Sequence, residues 1–297
     1  MGGNHFKKYK VESIKKEELK YVLDNFVNTL NDIYEINEND YTLLGSTGKK
    51  DISGDIDFGL SRDWLFRMSL QKDRSLRVMN YYNEFEKRAR TATEQDLLLR
   101  AYNQVLVDEL KKRNVIVDEK AGIGQVFTLL KKENGNYVQL DILSGDLDLL
   151  KFMYYSKNYE DNLKGLHRTQ LLIAFAKYKD YTLSHIKGLI KDSMRIIEPK
   201  MICQILGLEY DKCYDFYDLL NEIQNNVNVE DLIEIMNIYF NILSHTKTDI
   251  PEILQPLWRE MYKINNYKTN FLPKNSKLQN WLKENKWYIK VTMFMNL

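Results

Sequence analysis

Between Leu43 and Leu60 the chain reads Leu-Leu-Gly-Ser-Thr-Gly-Lys-Lys-Asp-Ile-Ser-Gly-Asp-Ile-Asp-Phe-Gly-Leu. Asp55 and Asp57 stand two apart, with Ile56 and Phe58 in the alternate positions. On a strand, residues i and i+2 share a face and lie roughly 7 Å apart. Two carboxylates held side by side in this way repel each other unless a cation lies between them. Oxygen-only donors suit a hard ion, so Mg²⁺ is the expected partner, with Mn²⁺ as a substitute. Upstream, Gly45 allows a tight turn and a close approach to a ligand. Ser46, Thr47 and the neighbouring N–H groups have the chemistry to hold phosphate oxygens. A phosphate-holding turn followed by a metal-holding Asp-x-Asp is equipment for nucleoside triphosphate chemistry. The bland alternative is a Gly-rich turn leading into a solvated acidic strand end.

The pair Gly45-Ser46, eight intervening residues, then Asp55-Ile56-Asp57 resembles the signature of the nucleotidyltransferase superfamily that includes DNA polymerase beta. That signature is a hydrophobic residue, Gly, Gly or Ser, a spacer, then Asp-hydrophobic-Asp or Glu. The resemblance spans residues 40 to 145, approximately. It implies an α+β fold, with a mixed β-sheet flanked by helices. The implied reaction is attack of a hydroxyl on the α-phosphate of a nucleoside triphosphate, with release of pyrophosphate. The superfamily carries a third carboxylate on a later strand, and Asp141, between Leu140 and Ile142, matches that place. With it the resemblance implies two Mg²⁺ ions about 4 Å apart. Asp55 and Asp57 would hold both, and Asp141 the one that activates the hydroxyl. Gly45, Ser46 and Thr47 would hold the phosphates, with Lys49 or Lys50 neutralising charge.

A second segment, Ser144-Gly145-Asp146-Leu147-Asp148, echoes Ser53-Gly54-Asp55-Ile56-Asp57. No Gly-Ser turn precedes it at the right distance, and Asp146 falls where a helix cap is expected. Further on, Gly165-Leu166-His167-Arg168-Thr169 opens a helix. A helix N-terminus with Arg168 near it suits triphosphate or base contacts. His167 reads as a capping or surface histidine.

The elements that must position these residues follow from periodicity. Apolar spacing predicts a helix over 11–36, with Leu19, Val22, Leu23, Phe26, Val27, Leu30 and Ile33 as its stripe. Strands are expected at 41–44 and 56–60. Residues 62–113 read as mostly helical, with a helix opened by Thr93 and Asp96 and buried along Leu97, Leu98, Ala101, Val105, Leu106 and Leu110. Strands at 115–117, 125–130 and 137–143 follow, the last two joined as a hairpin through Glu-Asn-Gly-Asn. After Leu150 the pattern becomes wholly helical. Pro199 suits a first helical turn, Gly207 a helix end, and Asn228 a cap. Leu278, Trp281 and Leu282 suggest a last helix, and Val291–Leu297 is an apolar tail. The expected organisation is a nucleotidyltransferase catalytic domain over 1–150 and an all-helical C-terminal domain over 151–297, with the active site in the cleft between them.

With 297 residues, 44% of them hydrophobic, the chain can bury a sizeable core. Its net charge of +1 gives no global electrostatic case for nucleic acid. A local case exists in the stretch holding Arg62, Arg67, Lys72, Arg74, Arg77, Lys87, Arg88 and Arg90, interleaved with Trp64, Phe66, Tyr81, Tyr82 and Phe85. Basic plus aromatic suits a single-stranded nucleic-acid surface; the competing reading is a solvated helix with its aromatics in the core. Cys203 and Cys213 are the two cysteines and show no metal-ligand spacing, which fits a reducing cytoplasm. No apolar run approaches membrane-spanning length. The expected acceptor is therefore an RNA or tRNA 3′ end, with a protein hydroxyl or a small molecule as the alternative. A third alternative is a catalytically inactive binding or structural module of the same fold.

Overall fold

The structure, a computed structural model, describes residues 5–89, 92–157 and 163–265. Contacts divide it into two units, Met1–Tyr155 and Ser156–Leu297. The boundary lies a few residues beyond 150 because the helix that follows the last sheet strand packs back onto the sheet.

The first unit contains β1 (Ile14–Lys15), α1 (Lys16–Ile33), β2 (Tyr41–Leu43), β3 (Ile52–Ser53) and β4 (Ile56–Ser61). Three helices follow, α2 (Arg62–Ser69), α3 (Lys72–Arg88) and α4 (Glu94–Lys112). Then come β5 (Ile116–Val117), β6 (Gln125–Lys131), β7 (Tyr137–Gly145) and α5 (Leu147–Met153). Five strands form one mixed sheet in the order β2-β4-β7-β6-β5, while β1 and β3 pair separately. The β4–β7 pair is parallel, and the others in the sheet are antiparallel. Alternation sorts the two faces. Ile56, Phe58, Leu60, Leu140 and Ile142 are fully buried on one of them. Phe58 meets Phe26 of α1 edge-on at 5.4 Å, and Ser144 on the same face donates to Asn103 of α4 at 2.8 Å. The opposite face carries the acids. Beyond them on that face Leu143 packs with Leu44 and with Leu150 of α5.

Helix α1 starts at Lys16, later than the apolar spacing predicts. Residues 11–15 are extended because their backbone has partners elsewhere. Val11 bridges Tyr137, and Ile14 and Lys15 pair with Ser53 and Ile52. Helix α4 opens as expected: Thr93 Oγ1 accepts the Asp96 N–H at 3.3 Å, and the Asp96 carboxylate accepts the Thr93 N–H at 3.2 Å.

Part of the basic aromatic stretch faces inward, while Phe66, Lys72, Lys87 and Arg88 are exposed. Trp64 is fully buried and donates Nε1–H to Glu35 O at 3.0 Å. Phe85 is buried, with the Arg100 guanidinium 4.2 Å from its ring centre. Arg67 pairs with buried Asp40 at 2.6 Å. Arg74 and Arg77 cross from α3 to α4, where both reach Glu109. Lys112 and Arg113 reach the same carboxylate at 2.7 and 3.3 Å. Arg88 pairs with Glu84 on the surface, and Arg90 lies outside the described residues.

The second unit contains α6 (Gly165–Tyr178), β8 (Thr182–Ser184), β9 (Gly188–Lys191), β10 (Met194–Ile196) and α7 (Pro199–Leu206). It continues with α8 (Phe216–Asn226), α9 (Val229–His245) and α10 (Gln255–Asn265). It is therefore not all-helical. Strands β8, β9 and β10 make an antiparallel meander. Its turns use left-handed residues, with φ of 73° at Gly188 and 53° at Asp192. Strands of three or four residues are too short to show an alternating pattern. The helix punctuation is as expected: Pro199 begins α7 and Gly207 ends it at φ 74°, while Asn228 Oδ1 accepts the Asp231 N–H at 2.9 Å. Leu278, Trp281, Leu282 and Val291–Leu297 lie outside the described residues.

Glu109 generates a stability prediction. Burial works against its ionisation, but hydrogen bonds from Lys112 and Arg77, with the charge of Arg74, outweigh burial and hold its carboxyl at about 2. A lowered pKa contributes stability that is fully present above the usual value of 4.5 and is lost as pH falls towards about 2. Glu109→Gln removes the counter-charge of four cations that are partly open to solvent, so urea denaturation at pH 7 should show a loss of about 1–3 kcal/mol. The same variant should lose less further stability than wild type between pH 4.5 and pH 2.

Candidate active site

The site begins with the turn after β2. Leu44 N–H donates to Asp57 O at 2.9 Å, and Gly45 N–H to Tyr154 O at 3.1 Å. The chain then curls about Ser46, whose carbonyl accepts the N–H groups of Lys49 at 3.1 Å and Lys50 at 3.4 Å. Thr47 is buried, and its Oγ1 accepts the Asp57 N–H at 3.0 Å. Its oxygen braces the strand. Gly45 has φ of 62°, and a Cβ there would lie 2.5 Å from Asp57 Oδ2. Only glycine lets this turn lie against that carboxylate.

Strand β4 carries Asp57 and is preceded by Asp55. Strand β7 carries Asp141. In the parallel β4–β7 ladder Asp57 and Asp141 are direct partners, so both side chains leave the same face of the sheet. Burial, followed by the charges of Asp55 and Asp141, pushes the Asp57 carboxyl up to about 7. Burial likewise pushes Asp141 up to about 6, with Asp55 adding to the effect and Gln139 and His5 opposing it. Asp55 is raised by burial. The three predicted carboxylates thus share one electrostatic environment.

The donor set fits a hard divalent cation: oxygen-only, three acidic side chains from adjacent strands, with a glycine turn backed directly onto one of them. Among the described residues no three His, Cys, Asp or Glu side chains stand already at metal-ligand spacing. A cation would therefore draw the carboxylates further together.

Several neighbours carry no recognisable motif. Gln139 donates Nε2–H to Asp141 Oδ1 at 2.7 Å. Its position two residues before Asp141, polar in an apolar strand, is the one signal that could have found it. His5 stacks on Phe127 with ring centres 4.3 Å apart, far from the motif in sequence. The Tyr154 phenol is raised by burial and then by Asp57 and Asp141, so it too faces the acids.

Other expected site residues act differently. Arg168 is fully buried in the second unit, donating from Nη1 to Cys213 O at 2.9 Å and from Nη2 to Thr169 Oγ1 at 3.0 Å. It is a core residue, which corrects the expectation that it binds nucleotide. Its neighbour His167 is a buried cap, its Nδ1 accepting the Lys164 N–H at 2.9 Å. Lys49 keeps its place beside the turn, with Nζ 4.9 Å from the centre of the Tyr155 ring. Asp146 caps α5, its Oδ1 accepting the Leu149 N–H at 2.9 Å, as the reading of the echoing segment expects. Neither a family model nor a curated protein matches the chain.

The raised acids fix a pH dependence. Carboxyls with raised pKa values contribute stability that is full below their ordinary value of 3.8 and is lost as pH rises through the folded value. In chelator, the melting temperature should therefore fall as pH climbs through about 6 and about 7. Mg²⁺ at pH 8 should restore it, and Asp57→Asn should flatten both responses. Gly45→Ala should cost about 1–2 kcal/mol from left-handed strain alone and should also weaken the response to Mg²⁺.

Proposed function

We propose that this protein is a metal-dependent nucleotidyltransferase, moving a nucleoside monophosphate from a nucleoside triphosphate to an acceptor hydroxyl. The observation that carries the reading is the direct pairing of Asp57 with Asp141 across parallel strands, with Asp55 one strand period away and Gly45 against Asp57. A polar turn beside clustered carboxylates is what a triphosphate and its counter-ion need; an inert module gains nothing from three acids that weaken one another. The fold this implies is the nucleotidyltransferase type within the α+β class, and the setting is cytoplasmic.

In this reading Asp55, Asp57 and Asp141 hold Mg²⁺, which when bound neutralises the triphosphate and polarises the α-phosphate. The chain's own groups do the rest. The Gly45-Ser46 backbone and the Ser46 hydroxyl orient the β- and γ-phosphates, and Lys49 supplies a cation beside them. Thr47 keeps Asp57 in place from behind. Asp141, beside the attacking hydroxyl in this reading, also accepts its proton.

The acceptor follows from where the basic residues point. Arg67, Arg74 and Arg77 are engaged with Asp40, Asp108 and Glu109 inside the first unit. These three are committed within the fold, which weakens the case for an RNA or tRNA 3′ end; with the net charge of +1, it favours the hydroxyl of a protein or small molecule. Labelled nucleoside triphosphates with Mg²⁺, offered total RNA, cell protein and small polyols in separate reactions, distinguish these classes. Label on RNA with a steep salt dependence would reverse the assignment, and pyrophosphate release with no acceptor in any class would remove transferase activity.

Asp57→Asn tests the chemistry itself. The strand packs through Ile56 and Phe58, so the variant should fold. Each tenfold loss of rate is about 1.4 kcal/mol of barrier, and loss of a metal-holding charge removes several kcal/mol. Transfer should fall roughly a thousandfold. Asp146→Asn should be close to neutral, because asparagine caps a helix as well as aspartate does. A folded Asp57→Asn protein with near-normal transfer would exclude the mechanism.

A further inference from the structure

The third carboxylate has a support that reaches it from the far end of the chain. Gln139 is buried, one strand period before Asp141 on the same face of β7. Its side-chain amide bridges two partners. Nε2 donates to Asp141 Oδ1 at 2.7 Å, and Oε1 accepts the backbone N–H of His5 at 3.0 Å. A backbone N–H can only donate, so it fixes which end of the amide faces it. The NH₂ end must then face Asp141. Without that N–H the amide loses the contact on its oxygen end that holds it in place, and the charge-assisted hydrogen bond to Asp141 loses its backing.

His5 is itself held by two contacts. Its Nε2 meets Asp118 Oδ2 at 2.7 Å, and its ring stacks on Phe127 at 4.3 Å. Phe127 is the ladder partner of Asp141 on β6. The segment that follows is tied to β7 as well: Glu12 N–H donates to Tyr137 O at 2.8 Å, and Val11 bridges Tyr137. Residues 5–12 therefore form a strap across the β6–β7 hairpin whose leading contact sets the amide next to Asp141.

We infer that His5, anchored by Asp118, is a positioning residue for the metal-holding carboxylate Asp141, acting through the Gln139 amide. The inference rests on the metal-site reading above. His5 touches neither substrate nor metal; it orders the amide that aims Asp141. Partners of this kind, one layer behind the ligands, typically change metal affinity by about 10- to 100-fold when removed.

The test is Mn²⁺ binding to the full chain, followed by electron paramagnetic resonance without nucleotide. The variants are Asp141→Asn, Gln139→Leu, His5→Ala, Asp118→Ala and Asp118→Asn, with thermal melts to establish that each is folded. Asp141→Asn should weaken Mn²⁺ binding most. Gln139→Leu should weaken it about 10- to 100-fold, and His5→Ala and Asp118→Ala about tenfold. Asp118→Asn should restore near-wild-type binding, because an amide still offers an oxygen to His5; a merely structural role would not be rescued in this graded way. If Asp141→Asn weakens binding but Gln139→Leu and His5→Ala stay within about twofold of wild type, the strap has no positioning role and the inference is overturned. If wild type does not bind Mn²⁺, or Asp141→Asn binds it as wild type does, the metal-site reading fails and takes the inference with it. Should Gln139→Leu unfold the protein, Gln139→Met replaces it, keeping the length of the side chain without the amide, and unchanged binding would equally overturn the inference.

Discussion

The first unit depends on one juxtaposition: Asp57 and Asp141 face each other across the β4–β7 pair. Two carboxylates would not choose this arrangement. It is enforced from the other side of the sheet, where Ile56, Phe58, Leu140 and Ile142 are fully buried. Because the side-chain period of a strand is two, the register that buries those four residues also brings the acids together. A slip of one residue in either strand would turn that strand's acid towards the core. Hydrophobic burial of this kind contributes roughly 1.5–3 kcal/mol per side chain, enough in sum to hold like charges side by side.

Glu109 shows the opposite treatment of charge in the same unit. Four cationic side chains from α3, α4 and the end of α4 surround it, and its carboxyl lies well below the usual range. Asp57 has acids as its principal charged neighbours and lies well above. One carboxylate is compensated by the fold and ties two helices together. The other stands buried among like charges. Displacement in opposite directions separates architecture from chemistry more clearly than burial does, since both groups are largely withdrawn from water.

The parts of this picture that were readable from sequence share a cause. Strands β4 and β7, helix α4 with its Thr93 cap, and the cap at Asp146 all announce themselves through patterns local to the segment. The Asp-x-Asp pair and Asp141 are legible for the same reason, as charges at alternating positions among apolar neighbours. What was not legible depends on partners distant in sequence. Residues 11–15 look helical by spacing but are claimed by Tyr137, Ile52 and Ser53. Arg74 and Arg77 look like surface cations until Glu109 is placed beside them. Arg168 sits at a helix start, as a ligand-binding arginine would, yet its guanidinium donates to Cys213. The β8–β10 meander is hidden by its short strands.

The parallel pairing of β4 and β7 has a kinetic side. These strands are neighbours in space, but α2, α3, α4, β5 and β6 all intervene along the chain. Bringing them together carries the loop-closure entropy of everything between. The α3–α4 and β6–β7 hairpins need only short loops, and so their contacts are available first. Contact order thus favours the two hairpins over the β4–β7 ladder, and the repulsion between the carboxylates belongs to that long-range closure. Protons relieve the repulsion, so the acidity of the medium in which the chain folds bears on how readily the ladder is completed.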